Sequence, residues 1–137
     1  MRHFVITESD KARIEEQMKL FVKESGARFA ILIDTAAIVI SKAGDFSGID
    51  IHSFAVLSAG GYASALALAK VIGEDEFFAA FHQGKRSGIH ISVVGHGVLL
   101  VGVFDVSVTA GVIRLAAKDT AKNLEPIIFD ILSKSQK

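Results

Sequence analysis

The stretch from Asp50 to Gly73 constrains this chain more than any other. Asp50 can N-cap a helix, Gly73 can sit just past its end, and between them only His52 and Lys70 can carry charge. A long, nearly uncharged helix is predicted. At 100° per residue, Phe54, Leu57, Gly61, Ala65, Leu68 and Ile72 share one face, wide enough to lie on a sheet. The opposite face reads Val56, Ala59, Ala63, Leu66 and Ala67, small and apolar, and a small domain seldom covers a helix on both sides. Gly60 and Gly61 inside the helix each cost about 1 kcal/mol relative to Ala unless close packing offsets it. The expectation is therefore a helix with one face on its own sheet and the other against a second subunit or partner. Its length suits a membrane span, but its Ala, Ser and Gly content gives little transfer energy and no Trp anchors it, so no membrane span is expected.

The rest of the chain supports a soluble domain of α+β class. Its 137 residues suffice for one domain, placed at residues 7–134. Fifteen Lys and Arg balance fifteen Asp and Glu, which removes the long-range attraction that nucleic acid or an anionic membrane would need. The absence of cysteine excludes disulfides and thiolate chemistry, and MRHFVITESD carries no apolar signal segment, so a cytoplasmic location is expected.

Thr7 or Ser9 can cap a first helix that ends near Gly26, with Ile14, Met18, Phe21 and Val22 as its inner stripe. Arg28 to Ile33 and Ala37 to Ser41 read as a hairpin around Asp34-Thr35-Ala36, followed by a loop from Lys42 to Gly48 that Phe46 anchors. Glu76 to Gln83, Ile89 to Val94 and Val98 to Phe104 read as a three-stranded meander. The last is apolar throughout and belongs at the centre of the sheet. A third helix starts near Ala110, capped by Ser107 or Thr109, with Ile113, Leu115, Ala116, Ala121 and Leu124 inward. Pro126 is expected to interrupt it before a last turn at Ile127 to Leu132, and the tail from Ser133 to fray. The order helix, strand, strand, helix, three strands, helix gives an α/β/α sandwich around a five-stranded antiparallel sheet.

Motifs for chemistry are weak. Gly84-Lys85-Arg86-Ser87 lacks the spaced glycines and following helix of a phosphate loop, and Gly95-His96-Gly97 lies between two strands, where a hairpin turn explains it. His82 and His90 would face each other across a hairpin of odd loop length, yet no third ligand stands beside them, so no metal is expected. Asp34 and Asp105 can end neighbouring strands, but turn aspartates commonly hold backbone N–H groups. Aromatics on the Glu76 strand have no interleaved basic residues, so they do not read as a nucleic-acid platform. No nucleophile and base set can be assembled, and the chain is not expected to be an enzyme.

The run Ile31-Leu32-Ile33-Asp34, the helix with Ala59-Gly60-Gly61, the turn Val94-Gly95-His96-Gly97-Val98 and the segment Ala110-Gly111-Val112-Ile113-Arg114-Leu115, in this order of elements, resemble the Roadblock/dynein light chain family, in particular its prokaryotic, MglB-like members. The resemblance implies a roadblock, profilin-like fold and a non-catalytic homodimer without cofactor. In that homodimer the central helix and third strand meet their symmetry mates, and the dimer binds a small Ras-like GTPase as its scaffold or activator in polarity, motility or signalling, positioning groups that the GTPase itself carries. Carried onto this chain, the dimer contact falls on Val56, Ala59, Gly60, Ala63, Leu66 and Ala67 with Phe77, Phe78 and Ala80, and the partner-binding rim on His52, Tyr62 and Lys70. Two departures stand out: Ala37, where the family's first hairpin often has glycine, and Pro126. The alternative is a small-molecule sensory domain with its pocket between sheet and helix, which needs convergent polar groups.

Overall fold

The computed structural model describes residues 5–135. Its elements are α1 (Glu8–Ser25), β1 (Phe29–Asp34), β2 (Val39–Gly44), α2 (Ile51–Val71), β3 (Ala79–Gln83), β4 (Ser87–Gly95), β5 (Val98–Asp105) and α3 (Ala110–Ser135). The strands form one antiparallel sheet in the order β2-β1-β5-β4-β3. Helices α1 and α3 cover one face and α2 lies on the other.

The thicker layer begins at Thr7, whose hydroxyl accepts from the Asp10 amide while the Asp10 carboxylate accepts from the Thr7 amide, a closed capping box. Asp10 is only 2% exposed. Its carboxylate also receives both Lys134 contacts at 3.2 Å and one from Arg13 at 3.2 Å, which ties the start of α1 to the end of α3. Burial pushes its pKa up, but the bonds from Thr7 and Lys134 outweigh this and hold it below the ordinary carboxylate value. Helix α1 ends on Gly26 in the left-handed region, φ +76°, with its amide donating to the Val22 carbonyl. Between the helices and the sheet, Ile14, Met18, Phe21, Leu32, Leu100, Phe104, Ile113, Leu124 and Ile128 form the main core.

Strand β5 is central and buried along all but its last residue, as its unbroken apolar run requires. Several expectations are corrected. Helix α3 runs through Pro126 without interruption, because Leu124, Ile127, Ile128 and Ile131 keep one buried stripe on both sides of it and that packing outweighs one missing hydrogen bond. The helix also reaches Ser135, past the expected start of the frayed tail; residues 136 and 137 lie outside the described chain. Leu115, expected inward, is exposed, and Ala117 takes its place. Ala37 belongs to the turn rather than to β2, at φ +67°, where Asp34 accepts from the Ala36 and Ile38 amides at 2.9 and 3.0 Å. β2 therefore starts at Val39 and takes in Lys42 to Gly44 from the expected loop. Phe46 anchors what remains, 4.7 Å from Phe29 ring to ring.

Strand β3 starts only at Ala79, so Phe77 and Phe78 precede it, although the Phe78 carbonyl still accepts from the Val93 amide at 2.9 Å. The β3–β4 register sets Phe81 opposite His90 and His82 opposite Ile89, so the two histidines point to opposite faces and form no pair. Asp34 and Asp105 lie at opposite ends of the paired β1 and β5, since Asp34 faces Val98 and Phe29 faces Val103, and Asp105 holds the Ser107 amide.

Candidate interaction surface

Helix α2 is capped as the sequence requires, with Asp50 accepting from the Ser53 amide at 3.1 Å and from its hydroxyl at 2.9 Å. Its way of facing the sheet differs from the expectation. The buried residues are Ala55, Ser58, Ala59 and Ala69, with Ile51, Phe54 and Tyr62 half-buried beside them, a stripe at steps of three and four. They rest on Ile31, Ile33, Leu99, Val101 and Ile91. The small side chains of the helix face this floor of branched residues, and the leucines are left on the outside. Leu57 is 74% and Leu68 60% exposed, and Gly61 and Ile72 are exposed as well, so four residues expected on the sheet face stand in solvent.

The expected contact residues divide accordingly. Val56, Gly60, Ala63 and Ala67 are exposed on the outward side, and Leu66 is half-buried. Ala59 is corrected: at 7% exposure it sits in the core, because it lies one residue round from Gly60 on the sheet side. Phe78 is 75% exposed, while Phe77 and Ala80 are half-buried. His52 and Lys70 are exposed near the two ends of the helix. Tyr62 is half-buried and donates to Glu76 Oε2 at 3.4 Å; burial first, then the Glu76 charge, raises its phenol pKa. Leu57, Ser64, Leu68 and Val71 were missed as surface residues, although the low polarity of the whole helix was the signal that it has no single inner face.

Among the described residues, strand β3 pairs with β4 alone, so its other edge offers backbone donors and acceptors to a further strand. Between this edge strand and α2 lies a cleft of about 380 Å³, bordered by Gly61, Ala65, Leu68, Phe78, Ala80 and Val93. Its polar side chains are Tyr62, Ser64 and His82, and Tyr62 is already engaged with Glu76. That is too few to orient a polar small molecule, so the sensory alternative is not favoured. Helix α2 is long and apolar enough to cross a membrane by length and composition, but here it forms one layer of the domain. Among the described residues, no three His, Cys, Asp or Glu side chains are placed to hold a metal. The surface thus presents an apolar, small-residue helix face running into an open strand edge, a geometry suited to association.

Three helices on an antiparallel sheet of five strands make a fold of the roadblock and profilin-like class. The chain belongs to the Roadblock/LC7 domain family, whose model matches residues 13–104. Within the family it is similar to MglB proteins. Myxococcus xanthus MglB shares 34% identity at a TM-score of 0.87, covering 93% of this chain and 96% of that one. The gliding protein MglB from Thermus thermophilus shares 31% at 0.86, covering 95% and 98%. A third solved structure, an MglB with tetrameric arrangement, shares 31% at 0.88, covering 96% and 99%. A comparison with curated proteins gives no significant sequence match.

Proposed function

We propose that this protein is a non-catalytic, cytoplasmic homodimeric regulator or scaffold that binds a small Ras-like GTPase. The carrying observation is the continuity of the exposed α2 face, from Val56 to Val71, with Phe78 and the unpaired edge of β3. A monomer would leave that whole surface in water. Two copies related by a two-fold axis would pair β3 with β3 and α2 with α2, each patch facing its own copy and the two sheets becoming one. The tetrameric arrangement of one similar MglB supports self-association.

The GTPase partner rests on membership of the family and on the likeness to MglB. In this reading the dimer holds the GTPase with His52, Tyr62 and Lys70 at the rim, and the hydrolytic groups belong to the GTPase. Arg86, exposed in the β3–β4 turn, then supplies no finger to the nucleotide. The test is retention of purified Ras-like GTPases on the immobilised dimer, each loaded with GDP or a non-hydrolysable GTP analogue, followed by hydrolysis assays with parent and Arg86→Ala. Nucleotide-dependent retention, with equal hydrolysis rates for the two forms, is expected. Absence of retention in either state overturns the GTPase assignment, and a loss of 10³ or so on removing Arg86 overturns the non-catalytic one.

A further inference from the structure

On the opposite face of the sheet from α2, the β3–β4 hairpin and the first turn of α3 border an open cavity of about 230 Å³ lined by Ala79, Ala80, Phe81, His90, Ala110 and Arg114. Three groups able to donate hydrogen bonds converge there. His90 is 5% exposed, and its ring touches Phe81 at a centroid distance of 6.2 Å but makes no hydrogen bond to any described residue. Arg114, exposed at the mouth, makes no ion pair among the described residues. The first turn of α3 contains no acidic residue, so the partial positive charge of its free amides is not neutralised from within the helix.

The sequence places these groups together. The pleat of β4 turns His90 to the α3 side, where its partner on β5 is Gly102, which has no side chain to cover the imidazole. Arg114 stands one turn into α3 from Ala110, and helical side chains lean toward the N-terminus, which carries the guanidinium over the cavity wall. A Cβ built on Gly111 would meet nothing within 4 Å, so the backbone there is open to close approach. The remaining walls are Ala79, Ala80 and Phe81, with no carboxylate among them.

We propose that this cavity binds a small oxyanion of the phosphate or sulfate type, held by Arg114, by a donating His90 imidazole and by the amide end of α3. A buried, unpartnered imidazole beside an unpaired guanidinium is an arrangement that an anion completes, because it supplies an acceptor to the one and a counter-charge to the other. Burial first, and then the Arg114 charge, hold the His90 pKa below its ordinary value; a bound anion opposes both.

The experiment follows the His90 ring protons by NMR while sulfate replaces chloride at constant ionic strength, on the full chain and on Arg114→Met, a substitution at an exposed site. With sulfate, the His90 pKa is expected to rise by about one pH unit in the parent, as an opposite charge in contact produces. Arg114→Met is expected to raise it in chloride and to abolish the response to sulfate, with exposed His52 unmoved throughout. A His90 pKa indifferent to sulfate overturns the proposal. So does an equal response in Arg114→Met, which would mean that any anion lies elsewhere.

Discussion

Leu68→Ala separates a buried subunit surface from an idle one. Complete burial of a leucine side chain stabilises by about 2 kcal/mol. Leu68 is 60% exposed, so closing a second copy over it has about 1.2 kcal/mol left to gain, of which an alanine keeps a small part. A two-fold axis counts the residue twice, giving a loss of about 2 kcal/mol per dimer, or about 30-fold in dimer Kd at 1.4 kcal/mol per decade. Because Leu68 lies outside the core, the same substitution should change the stability of the isolated subunit by less than about 0.5 kcal/mol. Sedimentation velocity over a dilution series measures the first quantity, and denaturant unfolding of the dissociated chain the second. A dimer Kd unchanged within about threefold would show that Leu68 stays in water, and the assignment of the α2 face would fail.

Backbone and ionisation effects give further expectations. Ala37→Gly should be neutral to mildly stabilising, by up to about 1 kcal/mol, because φ +67° costs an alanine more than glycine's added unfolded-state freedom. Gly44→Ala should destabilise by about 3 kcal/mol or more and lower Tm by roughly 10 °C, since a Cβ there would lie 2.5 Å from the Arg28 carbonyl oxygen at φ +101°; a Tm within 2 °C or so of the parent would refute that packing. Pro126→Ala should raise stability by about 2 kcal/mol in chemical unfolding by restoring a helix hydrogen bond at an exposed site, and a loss would mean that the proline shapes α3. His90 has a lowered folded pKa, so its neutral form is the one the fold accommodates. The stability this gives is complete above about 6.5 and is lost as pH falls below it, toward the folded pKa. Stability measured from pH 7.5 to 5 in His90→Leu should show a flatter acid limb than the parent. Asp10 acts in a separate window: its lowered pKa stabilises above its ordinary 3.8 and loses effect only as pH falls beneath that value.

The elements with strong local signals were legible. Thr7 and Gly26 bracket α1, Asp50 caps α2, and the unbroken apolar run of β5 marks the centre of the sheet. What failed had physical causes that periodicity does not carry. Helix α2 is apolar all round, so an angular pattern finds two equivalent faces, and the fold buries the one that carries Ala55 and Ala59. Pro126 carries a local penalty that favours a break, whereas Ile127, Ile128 and Ile131 continue the buried stripe beyond it. The His82 and His90 pairing depended on hairpin register, which a loop's composition leaves open by one residue and which reverses every side chain. The cavity at Arg114 was invisible because it joins β3, β4 and the start of α3 across the fold.

The α2 face and β3 edge are expected to meet a second copy. Light scattering on the purified chain at micromolar concentration, beside Ala63→Glu, tests it most directly, since Ala63 is exposed and a glutamate there sets like charges against each other across a two-fold axis. A parent mass of twice 14.6 kDa or a multiple of it is expected, with a variant mass of one chain. A monomeric parent, or an Ala63→Glu variant that associates as the parent does, would contradict it.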